Sequence, residues 1–120
     1  MEIIIEGNTP SQKNQKKVRC AGGVPRLYTH PKVKEWQDSA LLQLKSKYKG
    51  QFDNKVTIAY HFYVKDNRRR DIDNLVASVN DVLVKAGLVS DDDWKHLAIG
   101  GADAEVDKDN PRVVLYVEED

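Results

Sequence analysis

The chain has 120 residues, a formal net charge of zero, 40% hydrophobic and 32% charged residues, which suits one small domain spanning 1–120 with a modest core. A single cysteine, Cys20, excludes an intrachain disulfide, and the scattered His30, His61 and His96 make no zinc pattern with it. The neutrality averages two opposed halves: residues 1–70 carry 15 Lys/Arg against 6 Asp/Glu (+9) and residues 71–120 carry 4 against 13 (−9), which hints at a polyanion-binding surface beside an acidic one.

In chain order, Met1–Glu6 with its three isoleucines reads as a short strand, and Gly7 to Ser11 as a turn. Ser11 to Gly23 carries Lys13, Lys16, Lys17 and Arg19 with no acid. The expectation is a mobile, solvated loop whose charges suit the phosphates of a nucleic-acid backbone. Thr29, with Pro31 in the first turn, opens a helix. Its buried stripe is Val33, Trp36, Ala40, Leu41, Leu44 and Tyr48, its wet side Lys34, Asp38, Gln43, Lys45 and Lys47. Trp36, in register with Val33 and Ala40, is expected in the core and not as a base-stacking platform. Gly50 to Asn54 breaks the pattern, and Lys55 to Val64 then alternates strictly, with Val56, Ile58, Tyr60, Phe62 and Val64 on one side. This strand delivers the backbone into Arg68, Arg69 and Arg70.

The densest chemistry lies between Lys65 and Asp93. Asp71 and Asp73, two residues apart, share a face if the segment is extended, with Ile72 pointing inward. Such a pair is one wall of a site for a hard divalent cation, which binds through one or two carboxylates and completes its shell with water and phosphate oxygens. Adjacent arginines lower carboxylate pKa values and offer bidentate forks to phosphate. Ile72, Leu75, Val76, Val79, Val82, Leu83 and Ala86 recur at helical spacing, with Asp73 able to cap the first turn and Gly87 as the C′ residue. Capping alone would be an ordinary task for Asp73; Asp71 and the arginines beside it tip the reading toward a metal site. Asp81 reads as structural, pairing with an arginine or a backbone group. Asp91, Asp92 and Asp93 form a solvated turn or cap, unless the helix runs back along the sheet and its loop carries one of them to Asp71 and Asp73 as a third ligand.

Trp94 to Ile99 and Arg112 to Val117 read as two further strands, joined by a polar connector and followed by a solvated acidic tail at Glu118 to Asp120. The resulting fold class is α+β, a mixed sheet with two main helices packed on one face. No apolar run marks a signal peptide or a membrane span, so the expected setting is cytoplasmic.

The ordered set R-R-R-D-I-D-N-L at 68–75, then Asp81-Val82-Leu83, K-A-G-L at 85–88 and D-D-D at 91–93 resembles the signature of the RusA family of Holliday junction resolvases. G-N-T-P-S-Q-K-N at 7–14 is similar to that family's opening, so the resemblance covers most of the chain. It implies a homodimeric, Mg²⁺-dependent endonuclease, with Mn²⁺ as the alternative ion, that cuts strands of opposite polarity in four-way or branched DNA during recombination and repair. It implies no small-molecule cofactor, and a bacterial or phage origin. By position, the family's catalytic, metal-binding aspartates fall on Asp71, Asp73 and Asp92 and its preceding basic residue on Arg70. Lys13, Lys16, Lys17, Arg19, Arg68, Arg69 and Arg70 are then the expected DNA contacts.

One position departs from the family's D-N-x-x-K pattern: the lysine is replaced by Ala77, where a cation would hold the scissile phosphate or stabilise developing charge. Arg69, Arg70 or Lys85 could act in its place, Lys85 least well, since eight residues leave it about 80° out of helical register. A second expectation is therefore a junction-binding protein of the same fold that cuts weakly or not at all. A third is an unrelated Mg²⁺-dependent phosphate enzyme, against which the long basic arm counts.

Overall fold

The computed structural model describes the backbone of residues 1–11, 16–21 and 24–120 and the side chains of 1–11 and 30–120. The elements run β1 (Glu2–Glu6), β2 (Lys16–Ala21), β3 (Val24–Thr29), α1 (Pro31–Lys47), β4 (Val56–Val64), α2 (Ile72–Lys85), β5 (Leu97–Val106) and β6 (Arg112–Glu119). Four strands form one sheet in the order β1-β6-β4-β5, and β2 and β3 form a separate two-stranded sheet.

The strict alternation of Val56–Val64 puts every second member of that run in the core: Val56, Ile58, Tyr60, Phe62 and Val64 are buried and the residues between them half-buried. Antiparallel pairing with β6 sets Phe62 against Val113, Tyr60 against Leu115 and Ile58 against Val117, and β1 adds Ile5 and Ile3 opposite Val113 and Leu115. That apolar face is covered by Trp36, Ala40 and Leu44 of α1 and by Leu75, Val79, Val82 and Leu83 of α2. Both helices therefore sit on one side of the sheet, opposite the side that bears His61 and Tyr63. Trp36 is buried in the core, as its register implied.

The helix boundaries follow local chemistry. α1 starts at Pro31, whose fixed φ and missing N–H suit a first turn. His30, not Thr29, is its N-cap, the ring Nδ1 accepting the Lys32 amide at 3.2 Å. α2 ends in a Schellman closure: the Leu88 amide donates to Leu83 O at 3.1 Å and the Gly87 amide to Val84 O at 3.0 Å. Gly87 adopts φ +79°, the left-handed conformation that glycine takes without strain.

β4, α2 and β5 form a crossover unit, because β5 lies parallel to β4. β5 is the sheet's edge and extends ten residues to Val106, so most of the expected polar connector is strand, and Trp94 lies outside it. Period-two alternation failed here because β5 is exposed beyond Ile99 and has no buried face to encode. A bulge at Gly100, where the register with β4 slips between Ile58 and Ala59, interrupts the edge. A Cβ there would come within 3.0 Å of the Thr57 methyl, so that close approach favours glycine. β6 likewise takes in Glu118 and Glu119 of the expected tail.

The expected basic loop is also corrected. Lys16 to Ala21 pair antiparallel with Val24 to Thr29, so this part of the stretch is one strand of a hairpin, with Lys17 across from Tyr28 and Arg19 across from Arg26. Among the described residues, no helix is long and apolar enough to cross a membrane.

Candidate active site

The carboxyl ends of the parallel strands β4 and β5 open on the same side, where α2 begins, and such crevices are where α/β units place ligands. Three ties shape that end. The Asp107 amide donates to Val64 O at 2.8 Å, the Lys65 amide to Asn8 Oδ1 at 2.9 Å, and the Ser78 hydroxyl to Pro10 O at 2.7 Å. The turn after β1 is thereby fastened to both the end of β4 and the second turn of α2.

The loop from Lys65 to Asp71 is organised by Arg70. Its guanidinium donates to Asp66 Oδ1 at 2.7 Å and to the carbonyls of Asp66 and Arg68, each at 3.0 Å. The hydrogen bond from Arg70, helped by the Arg68 amide, holds the Asp66 carboxyl below the usual carboxylate range. With only 15% of its side chain exposed, Arg70 folds the loop back on itself, whereas Arg68 is 84% exposed and reaches Asp66 only at 3.8 Å. Arg69 is exposed as well. Two of the three arginines thus face outward and the third is internal to the loop.

Asp71 is the N-cap of α2 in extended conformation, and Asp73 lies in the helix's first turn. The expected extended segment with Ile72 inward is corrected: the helix begins at Ile72, which is an exposed side chain. The reason is that the apolar stripe of α2 starts at Leu75, so the core has no use for Ile72. Asp71 makes no side-chain cap bond, and its carboxylate meets the Asn74 side-chain amide at a long 3.4 Å. Arg70, Asp71, Ile72, Asp73 and Asn74 line an open cleft of about 600 Å³.

The three acids after α2 differ sharply. Asp93 is engaged, its Oδ1 lying 2.6 Å from His96 Nδ1 and accepting the Lys95 amide at 3.1 Å, and the His96 contact lowers its pKa. The Asp91 carboxylate accepts the Asp92 amide at 2.8 Å. Asp92 is the member whose carboxylate has no hydrogen bond among the described residues. Its charge adds to the burial that raises the pKa of Tyr60, a residue whose hydroxyl donates to Asn80 Oδ1 at 2.5 Å. No three metal-capable side chains gather anywhere among the described residues; within one chain, Asp92 does not close on Asp71 and Asp73.

Asp73, Ala77, Asp81 and Lys85 follow one another at four-residue spacing down α2. Lys85 pairs with Asp81 at 3.2 Å and lies twelve residues, or about 18 Å of helix, beyond Asp73, so it is no substitute for a lysine at position 77. Asp81, expected to meet an arginine or a backbone group, instead has this lysine as its partner. Lys13 and the side chains of Lys16, Lys17 and Arg19 lie outside the described residues. Sequence reasoning missed Asp66, whose i,i+4 spacing to Arg70 was a weak signal in an unhelical stretch, and Arg26, which only strand pairing sets across from Arg19.

Two carboxylates thus stand at the mouth of a β–α–β crossover, with outward-facing arginines on the adjoining loop. A family model described as endodeoxyribonuclease RusA matches residues 8–118, and the chain belongs to that family. A curated relative, the crossover junction endodeoxyribonuclease RusA of Aquifex aeolicus (strain VF5), is 31% identical over 84 residues, covering 69% of this chain and 65% of the relative. The match thus spans just under two thirds of the relative's length.

Proposed function

We propose that the chain is an endodeoxyribonuclease that resolves Holliday junctions by paired cuts in a metal-dependent reaction, acting on four-way or branched DNA as a homodimer. The observation that carries this reading is the pair Asp71 and Asp73 at the start of α2, in a chain whose family match spans residues 8–118.

The residues fit a hard divalent ion, Mg²⁺ or Mn²⁺: two carboxylates with few competing hydrogen bonds front an open cleft, and water and substrate phosphate can fill the remaining positions. When bound, such an ion polarises a phosphoryl oxygen and lowers the pKa of a coordinated water. Asp71 and Asp73 would hold it, with the Asn74 side-chain amide beside the Asp71 carboxylate. Arg68 and Arg69 take the phosphates flanking the cut. Arg70 acts through the loop it braces, placing those arginines and Asp71. Lys13, Lys16, Lys17 and Arg19 grip the junction arms. Asp92 is the third acid, supplied in a two-fold dimer by Asp92 of the partner subunit.

A second reading, junction binding with little or no cutting, is favoured by Ala77 together with the engagement of Arg70 by Asp66, which leaves no cation one turn after Asp73 among the described residues. The test is cleavage of a labelled four-way junction beside a linear duplex of the same sequence, with Mg²⁺ and with EDTA. Paired cuts in opposing strands that require Mg²⁺ are the expected result. Tight junction binding without cuts supports the second reading, and neither binding nor cutting refutes both.

A further inference from the structure

Trp94 is the most exposed of the large hydrophobic residues described, at 75%. Its place in the fold is unusual for an indole: it stands on the turn between Asp93 and Leu97, one residue past the acid triplet. Two ammonium groups flank the ring, Lys55 Nζ at 5.9 Å and Lys95 Nζ at 5.8 Å from its centroid. They come from separate segments, the lead-in to β4 and the turn itself. At such distances the cation contacts are weak and leave the indole open.

The turn beneath it is braced. Asp93 O accepts the amides of His96 at 3.1 Å and Leu97 at 2.9 Å, Asp93 Oδ1 accepts the Lys95 amide, and His96 O accepts the Val56 amide at 3.0 Å. Trp94 is therefore presented on a hydrogen-bonded scaffold anchored to the sheet. An exposed aromatic face on a braced turn with two lysines beside it matches one chemical partner well: an unpaired nucleobase, whose π-face stacks on the ring while neighbouring phosphates meet the ammonium groups. A protein partner fits less well, since the cores of protein interfaces are depleted in lysine.

We propose that Trp94, with Lys55 and Lys95, is a stacking platform for an unpaired base of the DNA substrate. This rests on the nuclease reading above. The platform neighbours Asp92, so a base held there keeps the adjoining backbone close to that acid. Junction branch points offer such bases at lower cost than a continuous duplex, because the stacking of successive pairs is discontinuous there.

The experiment compares the full chain with Trp94→Phe and Trp94→Ala for binding to a four-way junction and to a short oligothymidylate, following indole fluorescence and anisotropy of labelled DNA. Trp94→Ala is expected to weaken binding by about 5-fold to 150-fold and Trp94→Phe by much less, in line with the stacking of one base. DNA should quench the indole emission of the parent protein but not of Trp94→Phe, in which only the buried Trp36 remains. Equal junction affinity of the parent and Trp94→Ala overturns the platform and leaves the nuclease reading intact. A drop in sedimentation mass of Trp94→Ala at the concentrations used also overturns it, by making Trp94 an anchor between copies of the chain. A parent protein that binds neither DNA refutes the nuclease reading and the platform with it.

Discussion

The bond between the Tyr60 hydroxyl and Asn80 Oδ1, 2.5 Å long and buried, ties the strand that leads to the arginine loop to the helix that begins with Asp71 and Asp73. Both side chains are nearly inaccessible, at 2% and 7% exposure. Tyr60→Phe leaves the Asn80 oxygen without its donor and Asn80→Leu leaves the hydroxyl without its acceptor, each costing about 1–3 kcal/mol. The double variant removes both polar groups and should lie close to the parent, so the cycle returns a coupling equal to the two single costs together, about 2–6 kcal/mol. Each single change should lower Tm by roughly 3–6 °C per kcal/mol in a chain of this size, at fixed protein concentration. The same pair gives a pH signature. Burial, opposed by the Asn80 bond and reinforced by Asp92, raises the Tyr60 pKa above its ordinary 10.0. The unfolded chain then loses this proton first, so stability is full below pH 10 and falls as pH rises beyond it. Urea titrations at about pH 7, 9 and 11 should show that alkaline loss in the parent and a shallower one in Tyr60→Phe. Additive single-site costs with no coupling, and equal alkaline slopes, would refute the reasoning.

Asp71→Asn and Asp73→Asn should each abolish cutting while junction affinity is kept or rises, because fewer acids repel the phosphates; unchanged cleavage rates in either variant would count against the metal site. If the third acid comes from the partner subunit, mixing Asp71→Asn with Asp92→Asn restores nicking that neither shows alone, and an inactive mixture argues for a site within one chain. Asp66→Asn should weaken cutting about as much as Arg70→Ala, and the double variant little further, since the two act as one brace; independent, additive losses would mean that Arg70 meets DNA directly. Lys16→Ala with Lys17→Ala should reduce the salt dependence of junction binding by about one to two phosphate contacts, read as the slope of log affinity on log salt. An unaltered slope would remove these two lysines from the interface.

The parts of the fold that were legible in the sequence are those with a buried side. Alternation from Val56 to Val64 and the helical spacing from Leu75 to Leu83 record which residues meet the core, and burial confirms both runs. Gly87 marked the end of α2 because its backbone conformation is one that other residues resist. β5 was misread because an edge strand exposed over most of its length carries no such record. The hairpin was missed for a related reason: its first strand is rich in charge, and the signal available was the Gly22-Gly23 pair between two runs of β-compatible residues. The acid pair was recognised as a pair but given the wrong local geometry, since nothing in D-I-D distinguishes an extended segment from a helix start.

What the sequence determined by itself is therefore chemical and local: the charge split between halves, the acids and arginines after β4, the apolar faces of α1, β4 and α2, and membership of a family with that pattern. What the tertiary structure decided is which groups have partners. It commits Arg70 to Asp66 and Asp93 to His96, leaves the Asp92 carboxylate without a hydrogen bond among the described residues, and sets two lysines beside Trp94. The physical reason is range. Periodicity encodes burial within one element, while hydrogen bonds and ion pairs between loops depend on where separate elements end in space, and no single stretch of sequence contains that information.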